Sequence, residues 1–142
     1  MAAEYTLEIE AALDRLDDVR QFVERSARGL GAGDPMIPDL VVAVDEAVTN
    51  IIVHGYKQRP GMIEVSVGND ADALVVRLRD EAPQFDPCTH RLLDLEASLE
   101  KDTPGGFGLH LINKAMDDIS YRAPSDGGNE LTLVKKNVIP PG

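Results

Sequence analysis

Hydrophobic spacing constrains this chain more than any other feature, because its period switches twice within the first 80 residues. Tyr5, Leu7, Ile9 and Ala11 alternate with Thr6, Glu8 and Glu10, the period of a strand with one buried face. From Asp14 the apolar residues Leu16, Val19, Val23, Ala27 and Leu30 recur at steps of three and four, which predicts an amphipathic helix. Asp14, Asp17 and Asp18 stand at its start and Gly31 just past its end. A second helix is predicted from Pro38 through Leu40, Val41, Val44, Ala47, Val48, Ile51 and Ile52. Gly55 and the segment from Lys57 to Gly61 break it. Period two then returns in Ile63, Val65 and Val67, and again in Leu74, Val76 and Leu78 after the turn Asn69-Asp70-Ala71-Asp72, so residues 62–80 read as a hairpin.

Residues 81–104 hold Pro83, Pro87 and Pro104 around one short helical stretch, Arg91 to Leu95. An irregular segment of this length is costly unless it serves as a lid or binding loop. Gly105-Gly106-Phe107-Gly108 opens a third predicted helix through Leu109, Ile112, Ala115 and Met116. A strand from Ile119 to Arg122, a turn from Ser125 to Asn129 and a last strand from Leu131 to Val134 follow. The order β-α-α-β-β-lid-α-β-β predicts one domain over residues 1–142. Its architecture is an α+β two-layer sandwich, with helices on one face of a mixed, mainly antiparallel sheet.

Composition narrows the class. At 43% hydrophobic and 27% charged residues, the chain is neither disordered nor a membrane protein, and it shows no basic leader followed by an apolar stretch. Fourteen Lys and Arg against 25 Asp and Glu leave a formal charge of −11, which disfavours nonspecific binding to nucleic acid or anionic lipid. An anionic ligand would have to be held by backbone N–H groups and a metal ion. Cys88 is the only cysteine, so an intrachain disulfide is excluded, and His54, His90 and His110 lack zinc-site spacing. The expectation is a cytoplasmic domain without structural zinc.

Three places carry residue types suited to chemistry. Glu46 and Asn50 lie four apart on the second helix and so share a face, where a carboxamide oxygen can ligate a hard cation such as Mg²⁺ and a carboxylate can deprotonate a nucleophile beside it. Alone, the pair reads first as a solvated helix face, because Glu-x-x-x-Asn is a weak pattern. Asp80 ends a strand, where its carboxylate can accept a hydrogen bond from an exocyclic amine such as that of adenine, or simply form an ordinary turn. Gly105 to Leu109 combines glycines with a helix start, a phosphate cradle or a hinge, without the spacing of a dinucleotide fingerprint or a P-loop.

Together and in this order the three resemble the GHKL ATPase superfamily and, within it, the anti-sigma factor serine/threonine kinases. Asp45-Glu46-Ala47-Val48-Thr49-Asn50-Ile51-Ile52-Val53-His54-Gly55-Tyr56 is similar to that family's N-box, Asp80 to Pro87 to its first glycine box, and Gly105 to Leu109 to its second. The resemblance implies the Bergerat-type ATPase fold, ATP and Mg²⁺ as cofactors, Glu46 as general base and Asn50 as Mg²⁺ ligand. It further implies Asp80 as adenine reader with Ala82 beside it, and Gly105, Gly106, Phe107, Gly108 and Leu109 as the nucleotide-binding end of an ATP lid. Arg91 and Lys101 are candidates for the lid cation. The implied partners are a sigma factor, which is sequestered, and an antagonist protein of the STAS type, which is phosphorylated on serine; a homodimer is typical. The family has glycine where this chain has Ala82, and a methyl there is expected to crowd the adenine or the backbone, with weakened ATP binding as its limit. A nucleotide-binding module that transfers nothing is the alternative that Ala82 favours. The ATPase domain of a sensor histidine kinase shares the boxes, but 142 residues leave no room for a phosphoacceptor helix pair. A plain α+β domain without a nucleotide site would make the three motifs coincidence.

Overall fold

The computed structural model describes residues 4–83, 116–136 and 138–139. Residues 84–104 of the predicted lid, the third predicted helix up to Ala115, and with them Cys88, Arg91, Lys101 and Gly105 to Leu109 lie outside the described residues.

Strand β1 (Glu4–Glu10) leads through a short 3-10 turn at Leu13–Arg15 into α1 (Leu16–Gly29), and a second such turn at Asp34–Met36 leads into α2 (Ile37–Asn50). The hairpin is β2 (Met62–Asp70) with β3 (Ala73–Asp80); β4 (Asp118–Arg122) and β5 (Asn129–Lys135) form another. Each element falls where the spacing places it, with ends shifted by a residue or two. The sheet runs β1-β2-β3-β5-β4. Where a mixed sheet was expected, all four pairings among these strands are antiparallel.

Alternation along the strands sorts the two faces. Ile9, Ile63, Val65, Val67, Leu74, Val76, Leu78, Leu131 and Leu133 are buried under the helices, which contribute Val19, Val23 and Ala27 from α1 and Leu40, Val44, Ala47, Val48 and Ile52 from α2. The other face is polar. Register brings Glu8, Glu64, Arg79, Glu130 and Arg122 into one row across all five strands. Glu130 there accepts ion pairs from Arg79 at 3.3 Å and Arg122 at 3.2 Å. Pairs this exposed on the arginine side add little stability, so the sheet is held by its helix-covered face.

The end of α2 departs from the simple pattern. Residues Ile51–Gly55 widen into a π turn, with the Tyr56 N–H bonded to the Ile51 carbonyl at 2.8 Å. Lys57 and Gln58 then take left-handed backbone angles and stop the helix.

The β2–β3 hairpin closes over Ala71 and Asp72, and Ala71 sits at φ +53°, a conformation that costs an L-residue about 1–2 kcal/mol. Ala71→Gly should therefore leave stability unchanged or raise it by up to ~1 kcal/mol in urea titration, since strain relief offsets the added freedom of the unfolded chain. A loss above ~1 kcal/mol would show that the turn is not strained.

Candidate functional site

The site residues are carried by the end of α2 and the end of β3. Helix α2 buries Ala43, Val44, Ala47 and Val48, and its next inward position is Asn50, 5% exposed. Neither the Oδ1 nor the Nδ2 atom of Asn50 has a hydrogen-bond partner among the described residues, although both atoms are fully buried. An unpaired amide away from water costs about 1–3 kcal/mol, so the chemistry of this side chain calls for a partner that the described residues do not supply. A carboxamide oxygen suits a hard cation that keeps most of its other ligands from water and phosphate, as Mg²⁺ does. The Asn50 environment thus fits the cation that the sequence implies.

Glu46 lies one turn before Asn50 and is half-buried. Burial pushes its carboxyl above the ordinary value, the neighbouring Asp45 adds to the rise, and the Arg20 charge opposes it. Arg20 of α1 donates to Asp45 Oδ1 at 2.7 Å, so Asp45 is tied to α1 while Glu46 is not. A carboxyl held above its usual range is suited to taking a proton near neutral pH.

Asp80 shares the core-facing parity of Leu74, Val76 and Leu78 and is 8% exposed. Burial raises its pKa, and hydrogen bonds from Asn129 and the Ala82 backbone oppose the rise. Both bonds end on Oδ1: the Ala82 N–H and the Asn129 Nδ2 each donate at 2.9 Å. Oδ2 receives no bond within the described residues and can accept from a ligand. Asn129, 7% exposed, holds this carboxylate and is a residue that the sequence reading missed, since an asparagine after Gly127 and Gly128 reads as part of the turn.

The two motifs meet at Tyr56 and Gly55. The Tyr56 hydroxyl donates to the Met62 carbonyl at 2.6 Å and accepts from the Glu81 N–H at 2.8 Å. A Cβ placed on Gly55 would lie 3.4 Å from the Ala82 Cβ. Ala82 is 2% exposed and belongs to the hydrophobic core. Its methyl is therefore turned toward the end of α2. A cavity of about 310 Å³ that touches Asp80 and Asn129 has Glu8, Glu64, Arg79 and Asp126 among its other lining residues. It opens on the helix-free side and includes neither Glu46 nor Asn50. Among the described residues no three His, Cys, Asp or Glu side chains gather as a metal cage, and no helix is long and apolar enough to cross a membrane.

An α+β sandwich with two helices over one face of an antiparallel sheet is the frame of a histidine kinase-like ATPase domain, and the comparisons agree. Residues 9–135 match the family of histidine kinase-like ATPase domains, and the chain belongs to that family. Curated relatives include the serine-protein kinase RsbW of Bacillus cereus strain Q1, 32% identical over 117 residues that cover 80% of this chain and 73% of the relative. The RsbW of Bacillus mycoides strain KBAB4 is 30% identical over the same shares.

Replacing Asn50 by leucine keeps the branching of the side chain and removes two buried polar atoms that no described residue pairs. Asn50→Leu should raise the unfolding free energy of the ligand-free protein by about 1–3 kcal/mol and abolish any Mg²⁺-dependent thermal shift with ATP. A variant less stable than the parent would show that Asn50 has a partner within the fold.

Proposed function

We propose that this chain is an ATP-dependent protein serine kinase that acts as an anti-sigma factor, phosphorylating a small antagonist protein of the STAS type and sequestering a sigma factor in the cytoplasm. The observation that carries the reading is the buried Asn50 carboxamide, without a partner among the described residues, one helical turn from a Glu46 whose carboxyl is raised, in a chain related to serine-protein kinases. When bound, Mg²⁺·ATP would supply the phosphoryl group and the cation that neutralises its charge. Asn50 would hold the cation through Oδ1. Glu46 would accept the proton of the incoming serine hydroxyl, and its partial burial keeps it basic enough to do so. Asp80 would take the base amine on Oδ2, orienting the nucleotide without neutralising charge. Gly105, Gly106, Phe107, Gly108 and Leu109 would close on the phosphates.

The alternative, a binder that transfers nothing, drew its support from Ala82. The Ala82 methyl lies in the core against Gly55, which favours an intact base site over a crowded one.

Glu46→Gln tests the assignment. With radiolabelled ATP and a candidate antagonist protein, transfer should fall by about 10²–10⁴-fold while nucleotide affinity stays within about threefold. Loss of ATP binding with transfer intact would overturn the role of Glu46; no transfer by the unmodified protein to any candidate serine would favour the pure binder. The raised carboxyl also places the acid limb of the transfer rate above the ordinary glutamate value of 4.5. The linkage sign follows. A folded-state pKa above the unfolded one means that the folded protein holds the proton more tightly, so stability from this group is full below the unfolded pKa and is lost as pH rises through the folded one. Glu46→Gln should therefore gain stability at pH 7 and lose that gain near pH 4, read by thermal melts at the two pH values.

A further inference from the structure

The segment from Asp80 to Pro83 leaves the sheet, yet it is tied on both sides by side chains from elsewhere in the chain. On the β2 side the Tyr56 hydroxyl accepts from the Glu81 N–H at 2.8 Å while donating to the Met62 carbonyl at 2.6 Å, so one hydroxyl joins the end of α2, the start of β2 and the end of β3. The Tyr56 ring is itself fixed, since a Cβ on Gly61 would overlap it. On the β5 side Asn129 pairs with Asp80 in register. Its Nδ2 donates to Asp80 Oδ1 at 2.9 Å and to the carbonyls of Ala82 and Pro83 at 3.2 Å each. Its Oδ1 accepts from the Tyr121 hydroxyl at 2.6 Å. With a hydroxyl donor at one end of the amide and three acceptors at the other, the orientation of the carboxamide is decided by its surroundings. Gly128 presses on the same place, because a Cβ there would overlap the Asp80 carbonyl oxygen.

We propose that Tyr56 and Asn129, the latter oriented by Tyr121, are positioning residues for base selection: they clamp residues 80–83 so that Asp80 spends Oδ1 on the protein and presents Oδ2 to the exocyclic amine of a purine. The clamp rests on the base-reading role given to Asp80 above. Neither side chain touches the ligand in this arrangement. Without the Tyr56 hydroxyl the Glu81 N–H loses its acceptor and the peptide after Asp80 is free to rotate. Without the Asn129 amide, Oδ1 keeps only the Ala82 N–H, and the carboxylate loses the second bond that sets the direction of Oδ2. A hydrogen bond to a charged acceptor depends on direction, so the loss falls on ligands that carry the amine.

The test compares ATP with purine riboside triphosphate, which lacks the 6-amine, by calorimetric titration of the parent, Tyr56→Phe, Tyr121→Phe and Asn129→Leu. The parent should prefer ATP by about tenfold or more. In the variants the preference should shrink at least threefold, through weaker ATP binding with purine riboside triphosphate affinity nearly unchanged. A residue that merely supports the fold would weaken both ligands alike, and a preference retained in all three variants overturns the clamp while leaving the role of Asp80 standing. A parent preference near one removes the base-reading role and the clamp together. Tyr56→Phe and Tyr121→Phe keep their rings in place, so the comparison is decided even where Asn129→Leu fails to fold.

Discussion

The alternation of β3 is the constraint on which the rest of the site depends. Leu74, Val76 and Leu78 must face the helices, and with a period of two the same face receives Asp80. Register then fixes its neighbours: Ile63 of β2 on one side and Asn129 of β5 on the other. A carboxylate delivered to the helix-covered layer is desolvated, which is why its pKa rises, and the hydrogen bonds from the Ala82 N–H and Asn129 limit that rise. A shift of β3 by one residue would turn Asp80 to the face that holds Arg77 and Arg79, and would expose Leu78 at the same time. The register that makes the core therefore also makes the proposed base site.

Helix α2 repeats the pattern with a different outcome. Its inward row runs through Ala43, Ala47 and Val48 and then reaches Asn50, which the same packing draws out of water. Among the described residues Asp80 is satisfied on one oxygen, whereas Asn50 is satisfied on neither polar atom. A leucine in the Asn50 position would cost the isolated fold less. Buried polar groups left open on one side are what a binding site needs before its ligand arrives, and the difference between the two residues matches the difference between a hydrogen bond to a base and a bond to a cation.

The fold was legible because its period changes are clean: Ile63, Val65 and Val67 alternate, Val19, Val23 and Ala27 step, and the burial of each follows. Antiparallel pairing throughout was not legible, since strand order depends on contacts between residues far apart in sequence, such as Asp80 with Asn129. Glu46 and Asn50 could be placed on one helix from spacing alone, but spacing left open whether that face was solvated. The depth of Asn50 comes from tertiary packing, which spacing does not encode. Asn129 and Tyr121 carried no local signal, because an asparagine after two glycines reads as a turn residue, and its partner Asp80 lies 49 positions away. The π turn at Ile51–Gly55 was equally hidden, as its apolar residues fit an ordinary helical stripe.

Ala82 shows why side-chain direction outweighs residue identity in such a reading. In sequence, a methyl where related chains have glycine suggests an obstacle in the base pocket. In the fold its N–H is committed to Asp80 Oδ1 and its carbonyl to Asn129, which leaves the methyl one way to go, against Gly55 at the end of α2. There it covers apolar surface that a glycine would leave open, a contribution on the order of 0.8 kcal/mol for one buried carbon. It also restricts the backbone of a segment that has to hold Asp80 in one orientation. The methyl acts on the contact between the two motifs, adding to the hold that Tyr56 exerts one residue away, and the alanine stiffens the segment on which base selection would depend.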